Sequence, residues 1–569
     1  IDYLARDIIG IGATRIDLRT AAAIGEKINP VHFESCESVN YGGVLFLLPF
    51  LIANGLLSYN KYYSQRQSGY YDFDSILLTI AIMYLCRIKN IEQLKHESPG
   101  EMGKLLGLDR VAEARCLRVV LKELYSQQKA TQWGSDLAQG WINENDTPNL
   151  FYIDGHVKEY CGYLANLGKK HMSRQKLCLP GITEFWVNNA NGLPYFFISG
   201  EVNEKLQDII ENNIIHELTK FTQDKITDTA LEADEQLARY TLVFDREASS
   251  AQFFNRLWKK FRVAIITYKK NVKDKWDEQD FNPFQIETEV ETSMYLCEKE
   301  IEIDGVKMRE IRKLNESGHQ TSIVTTNYKL PILLIAFYMF ARWTQENFFK
   351  YMRQEYDIDR IIQYGVDQID PNTTVVNREY SNLTQALKKI REKKARKQAR
   401  LFILKEENIK GELEQAGGNF KKQLEITNEL KLIATKEQEL IDKRKQQPYK
   451  ISISQMPQDK KYNKLKVESK HVQNIIKMIC YRADTAFANL LDDDYKRKED
   501  EKRALVKTII FTRADLSPDY QTNTLTVSLY ALATPRDNKA AEKICQTLNE
   551  TETIYPGTNL KLVYKVRTG

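Results

Sequence analysis

The sequence predicts a multidomain α/β protein built around a mixed sheet, and three observations carry that prediction. The chain has 569 residues, too many for one hydrophobic core, so about three or four domains are expected. Residues 148–270 alternate strand-like and helix-like patterns. Two short apolar runs in that stretch stop at an aspartate: Leu150-Phe151-Tyr152-Ile153 before Asp154, and Leu242-Val243-Phe244 before Asp245. Uninterrupted apolar runs of this length are typical of strands covered on both faces.

Taken in order, residues 1–60 read as a helical region to which no chemistry can be assigned, and the natural start is expected upstream of Ile1. Residues 61–147 are helical: Phe73, Ile76, Leu77, Ile80 and Met83/Tyr84 recur at helix spacing, as do Leu117, Val120, Leu121 and Leu124. The turn between them makes a helix-turn-helix conceivable, with Arg110, Arg115 and Arg118 toward DNA; the plainer reading is an ordinary helical bundle. The catalytic region is expected at 148–360. Its strands are the one ending at Asp154, a second from Glu159 to Leu167, and a hairpin of Thr183–Asn188 and Leu193–Ile198 around Asn189-Ala190-Asn191-Gly192. A long helical stretch, Val202 to Arg239, leads to the Asp245 strand, an amphipathic helix over Ser249–Phe261 and the strand Val263–Tyr268. Three leading strands, a helix, an Asp-tipped strand, then helix and strand is the ribonuclease H-like order.

Residues 271–328 read as a β-rich insertion, with period-2 runs at Phe284–Val290 and Ile301–Lys307, and 331–360 as one helix. Residues 382–447 are charged and helical, with Leu383, Leu387, Ile390, Leu401, Leu404, Leu424, Leu430 and Leu440 as a sparse apolar stripe. Gly417-Gly418 splits that segment into a hairpin or coiled-coil arm. Residues 448–569 read as a small α+β domain, with strands at Leu505–Thr512 and Leu525–Leu532 and helices at Val472–Leu491 and Lys539–Leu548.

Composition narrows the class. With 42% hydrophobic and 28% charged residues the chain is globular in type. Its longest apolar stretch, Val44–Leu57, falls short of a membrane span and contains Pro49, Asn54 and Gly55, which fits a buried helix pair. Eight cysteines without a C-x-x-C pair argue against a zinc site or a disulfide framework and for a reducing cytosol. A net charge of +5 is weak, but the basic residues cluster.

The chemistry rests on three acids: Asp154, Asp245 and Glu346, the last in Arg342-Trp343-Thr344-Gln345-Glu346-Asn347-Phe348-Phe349-Lys350. Two strand-tip aspartates and a helical glutamate are hard oxygen donors suited to a pair of Mg²⁺ ions, with Mn²⁺ as a substitute. Arg342, Glu346, Lys350 and Arg353 share one helix face, which sets cations beside a metal-binding carboxylate, as a phosphate-bearing substrate requires. Phe348, Phe349 and Trp343 on other faces indicate a docked helix. Glu247 competes with Asp245, and Asp357 or Asp359 with Glu346; His156 could assist. The plainer readings are a loop aspartate, a helix-capping aspartate and a solvated ion-pair helix.

These residues resemble the DDE transposases of bacterial insertion sequences, in the subgroup with a Y-x2-R-x3-E-x6-K signature. Arg342, Glu346 and Arg353 fit R-x3-E-x6-basic; Met339 stands at the Tyr position, with Tyr338 one residue early. The likeness covers about 148–360 and includes the β-rich insertion. It implies a Mg²⁺-dependent transposase that cleaves transposon ends and transfers the 3′-OH into target DNA. It also implies a homodimer on double-stranded DNA and a bacterial cytoplasm. A nuclease without strand transfer, or a retired DNA-binding scaffold, are the alternatives.

Two further footprints suit DNA. Lys388, Lys389, Arg391, Lys393, Lys394, Arg396 and Lys397 form a basic run in the arm, suited to salt-dependent phosphate contacts. Lys259, Lys260, Arg262, Lys269, Lys270, Lys273 and Lys275 lie near Trp258, Tyr268 and Trp276, of which Trp276 is a candidate to stack on a flipped base, as an aromatic of the insertion does in related enzymes.

Overall fold

The structure is a computed structural model that describes residues 12–144, 149–162, 165–172, 175–222, 225–286, 292–361, 365–367, 369–409, 416–457, 461, 463–491 and 499–567. It divides into two compact units: Ile1–Gly162 with Gly168–Tyr364 and Lys466–Gly569, and Tyr163–Leu167 with Gly365–Leu465.

The first unit is mixed α/β. Strand β1 (Cys36–Val39) precedes the large sheet, whose strands are β2 (Leu150–Glu159), β3 (Lys169–Met172), β4 (Leu177–Asn188), β5 (Pro194–Glu201), β6 (Tyr240–Phe244) and β7 (Val263–Tyr268). It continues with β8 (Asn282–Ile286), β9 (Thr292–Ile303), β10 (Val306–Leu314) and β11 (Gln320–Thr325). The order is β3-β4-β2-β6-β7-β11-β10-β9-β8, with β5 also on β4. β2 pairs antiparallel with β4 and parallel with β6, which pairs parallel with β7. The strand-and-helix alternation expected of 148–270 is therefore present, and the β-rich insertion extends the same sheet through β11 on β7.

Several elements differ from the sequence reading. Strand β2 does not stop at Asp154; it runs on to Glu159, because β4 keeps pairing with it from Asn188 to Gly181. The second strand expected from Glu159 to Leu167 is absent among the described residues of that run. Val202–Arg239 holds the short helices Leu206–Ile209, Ile215–Thr222 and Asp228–Ala233 with a π-helical turn at Ile210–Ile214. The run Ile301–Lys307 is two strands meeting at a turn, where Asp304 and Gly305 both take positive φ. Residues 287–290 of the other expected run lie outside the described residues.

The expected helix over 331–360 is two, Ile332–Phe340 and Trp343–Tyr356, broken at Ala341-Arg342. Leu505–Thr512 is not a strand but part of the helix Glu499–Phe511; Leu505, Val506, Ile509 and Ile510 are buried at helical spacing. The first sixty residues are not wholly helical. Their strand β1 edges a second sheet, in the order β1-β16-β17-β18, with β16 (Ala514–Asp519), β17 (Thr524–Leu529) and β18 (Lys561–Val566). Gly42–Lys61 is long and apolar enough to cross a membrane by composition alone, but Val44–Leu48 and Leu51 are packed in the core.

The helix Glu468–Asn489 runs through the centre of this unit and packs on Phe73–Leu85, Ala130–Asn143 and Glu499–Phe511. Seventeen of its residues are buried, Glu468, Lys470, Gln473, Asn474, Lys477 and Asp484 among them. Buried polar groups persist only when paired. Glu468 accepts from Tyr63 and from the Lys129 and Ala130 amides. Lys470 and Asn474 reach Glu184, which also pairs with Lys158 at 2.6 Å. Asp484 Oδ2 accepts from Arg87 at 2.8 Å, Tyr351 at 2.8 Å and Tyr356 at 2.9 Å, and Arg503 lies 3.5 Å from the other oxygen. Burial works against the charge on Asp484, but Arg87 and Arg503 outweigh it and hold the pKa below the usual carboxylate range.

The second unit is an arm. Its helices Arg378–Ile409 and Ala416–Lys445 run antiparallel, closed at the base by β13 (Thr374–Val376) on β14 (Lys450–Ser452). Leu387 and Ile426 are buried, and Gln423 bonds the Leu404 carbonyl. Gly417-Gly418 lies in the first turn of the second helix, not between the two. Leu424, expected on the apolar stripe, is exposed, as is Leu432.

Asp484→Asn is expected to destabilise the protein by up to about 3–5 kcal/mol, since it removes the carboxylate that two buried guanidinium groups share. Among the described residues, that leaves Arg87 only Glu355 and Arg503 only Glu499 as charged partners. Guanidinium denaturation of both proteins checks this, and a loss under about 1 kcal/mol would mean that the network is not a stabilising hub.

Candidate active site

Sheet register brings the two aspartates together. Ile153 pairs with Phe244 in the parallel ladder between β2 and β6. The residues that follow are Asp154 in β2 and Asp245 just past the end of β6, so the two aspartates stand at the same level where the apolar pairing ends. Asp245 takes its own amide turn: it precedes the turn Arg246–Ala248 and accepts from the Arg246 amide at 2.7 Å. It does not cap the helix Ala251–Phe261, which Ser250 precedes. Asp154 accepts from the Gly155 amide at 2.9 Å and pairs across β4 with Trp186.

Glu346 reaches the same place from the helix Trp343–Tyr356. Buried Gln345 pins that helix, donating toward the carbonyls of Tyr152 and Trp186 at 3.4 and 3.3 Å and to Asn188 at 3.1 Å. The β4–β5 turn abuts its start: Thr344 donates to the Ala190 carbonyl, and Gly192, at φ +81°, leaves no room for a side chain, since a Cβ would sit 3.0 Å from the Thr344 carbonyl oxygen. Phe348 and Phe349 dock on Trp186 at ring distances of 5.4 and 6.4 Å. Trp343 differs from expectation. It is 59% exposed, on the solvent side of the helix start.

Arg342 links the acids, bonding Glu346 at 2.7 Å and lying 3.7 Å from Asp154. Asp154 is pushed up to about 6, chiefly because the protein around it displaces water; Arg342 and the Gly155 amide oppose that, and Asp245 and Glu346 add to it. Three carboxyl groups thus share the neighbourhood of Arg342. Hard carboxylate donors of this kind suit Mg²⁺ or Mn²⁺. As the side chains stand, no three described His, Cys, Asp or Glu residues are grouped closely enough to hold an ion, and Glu346 is turned onto Arg342.

The competitors are placed elsewhere. Asp357 and Asp359 lie past the far end of the glutamate helix, Asp357 paired with Arg360 and Asp359 bonded to His156. His156 is buried, stacked on Phe349 at 4.8 Å, with its pKa lowered by burial. Glu247 is exposed in the turn after Asp245. On the glutamate helix Lys350 is exposed, while Arg353 bonds the Phe349 carbonyl of its own helix.

The basic footprints are partly engaged. Trp276 is half-buried, with Arg312 4.2 Å and Lys299 4.7 Å from its ring centre, and its backbone is held by Gln320. Lys269 pairs with Glu310, and Arg262 bonds the Asp234 and Leu237 carbonyls. In the arm, Arg391 and Lys394 bond Glu437 and Lys397 bonds Glu429, while Arg396 pairs loosely with Glu392 at 3.8 Å. Lys388, Lys389 and Lys393 are exposed. Arg110, which only the helix-turn-helix alternative would turn toward DNA, is buried and tied to Glu113, and Arg118 pairs with Glu92; Arg115 is exposed.

Sequence reading missed Gln345, whose role depends on two carbonyls and a side-chain amide supplied by the two strands β2 and β4. It named Tyr268 only as an aromatic beside a basic cluster; the tyrosine is the last residue of β7, and its phenol feels the charges of Arg342, Asp245, Glu346 and Arg246.

The first unit thus presents acids where the parallel pairing of two adjacent strands ends and on a docked helix. A family model described as "Transposase protein" matches residues 10–568, nearly the whole chain, and the chain belongs to that family. No curated protein and no solved structure matches it.

Because the folded carboxyl of Asp154 has a pKa above its unfolded value of 3.8, its contribution to stability is full below that value and lost as pH rises through about 6. Asp154→Asn should therefore melt above wild type at pH 7.5 in EDTA, and the gap should narrow toward pH 4.5. Thermal melts across that range check it; a constant gap would mean that the carboxyl is not strained.

Proposed function

We propose that this transposase is of the DDE type, with a ribonuclease H-like core in which Asp154, Asp245 and Glu346 bind two Mg²⁺ ions. What carries the reading is the register that sets Asp154 beside Asp245, with Glu346 joined to them through Arg342. The strand order β5-β4-β2-β6-β7, with antiparallel leading strands and parallel following ones, agrees with it.

When bound, the ions would supply charge to the scissile phosphate and activate the attacking oxygen. The protein's own groups do the rest. The pinned helix fixes Glu346 relative to the sheet. Arg342 would exchange its bond with Glu346 for one with DNA phosphate, a planar cation suited to that acceptor. Lys350 and Arg353 on the same helix would hold the cleaved strand, and Trp276 would meet a displaced base once its cations shift. Water would cut the transposon end, and the freed 3′-OH would then attack target DNA.

Asp154→Asn, Asp245→Asn and Glu346→Gln should each lower cleavage of the element's terminal repeat about 100-fold or more while leaving duplex binding intact. Near wild-type cleavage by all three would remove the site assignment. The second reading, a nuclease without strand transfer, is separated by incubating the protein with linear ends, plasmid and Mg²⁺. Joined products identify a transposase, and hydrolysis alone identifies a nuclease.

The arm suits pairing of two DNA-bound copies. Lys394 and Lys397 interrupt its apolar seam, so self-association without DNA should be weak, with Lys388, Lys389 and Lys393 left for phosphate. Its base stays closed by β13 and β14, so 382–447 can be excised with a short linker. That deletion should reduce two-end complexes more than single-end cleavage. If light scattering finds the same two-end complex without the arm, the dimer contact lies elsewhere.

A further inference from the structure

The row of side chains begun by the aspartates extends to a third strand. Val243 pairs with Ile266 in the parallel ladder between β6 and β7. Two residues on, Asp245 and Tyr268 occupy the same level, beside Asp154 on β2. Their shared face is fixed by the residues two positions back. Tyr152, Val243 and Ile266 all belong to one apolar cluster with Ile335, Ala336 and Met339 of the helix Ile332–Phe340. Tyr268 packs on the same cluster, its ring 6.5 Å from that of Phe340.

The ring is therefore accounted for by packing, and the hydroxyl is not. It makes no hydrogen bond among the described residues, in contrast to Tyr152, whose hydroxyl donates to the Tyr338 carbonyl at 2.7 Å. Phenylalanine would fill the same space, so packing leaves the hydroxyl without a use. A tyrosine at neutral pH is a protonated donor, and phosphate oxygens are acceptors only. Arg342, Asp245, Glu346 and Arg246 all act electrostatically on this phenol, so it lies in the neighbourhood of the acids.

We propose that Tyr268 acts on the substrate at this site, its hydroxyl donating to a non-bridging oxygen of the DNA phosphate beside Asp154 and Asp245 as that phosphate reacts. The proposal rests on the DNA-cleaving reading above and names a contact which that reading does not include. Tyr268→Phe keeps the ring and removes the donor. Full-length Tyr268→Phe, Asp154→Asn and wild type are compared in single-turnover nicking of supercoiled plasmid with Mn²⁺, in anisotropy with a short labelled duplex, and in thermal melts. The expected result for Tyr268→Phe is nicking slowed about tenfold or more, the scale of one lost hydrogen bond to a charged group, at unchanged duplex affinity and melting temperature. Nicking at the wild-type rate overturns the proposal, as does a loss matched by an equal fall in melting temperature. Wild-type nicking by Asp154→Asn is a different failure: it removes the carboxylate site itself, and the proposal with it.

Discussion

The structure of the first unit depends on keeping charge buried in the helix Glu468–Asn489. A helix with this many polar residues is stable inside a protein only if every one is met by a partner supplied from elsewhere. Asp484 draws in Arg87 from the N-terminal helices, Tyr351 and Tyr356 from the glutamate helix, and Arg503 from the C-terminal region. Glu184, in the middle of β4, is reached by Lys470 and Asn474. One helix thereby ties regions that are hundreds of residues apart to the sheet that carries the acids. Specificity is the gain, because a displaced helix would leave unpaired charge in the core.

That tie matters most at the glutamate helix. Phe348 sits 5.0 Å from Tyr481 of the buried helix, while Gln345 bonds the sheet beneath. The helix is thus fixed from both sides, and Glu346 and Arg342 project from its start toward Asp154. The acids come from different elements, and their relative positions are set by packing that involves none of them. Such a site can hold mutually repelling carboxylates because the scaffold around it supplies the compensating stability.

The arm follows a different logic. Its seam places Lys394 and Lys397 opposite Glu437 and Glu429, so ion pairs replace part of the apolar contact. Ion pairs at such positions fix register at a cost in stability. They also divide the basic run into residues engaged within the arm and residues facing solvent, a division that charge counting alone does not make.

The apolar runs before Asp154 and Asp245, the Asn-Ala-Asn-Gly hairpin and the R-x3-E-x6-R helix were all legible in the sequence by itself, because each is encoded by local periodicity or turn chemistry. So were the strands of the β-rich stretch and the two helices of the arm, but not the arm's turn, since Gly417-Gly418 lies inside the second helix. The continuation of β2 past Asp154 was not, since only pairing with β4 keeps those residues extended. Nor was the helix at Leu505–Phe511, whose apolar run fits either period until packing decides. The break at Ala341-Arg342, the exposure of Trp343 and the burial of Arg110 were likewise tertiary outcomes. Above all, residue types nominated the acids, but strand register set Asp154, Asp245 and Tyr268 in one row. Register is a relation between distant segments, settled by which faces the folded chain must bury.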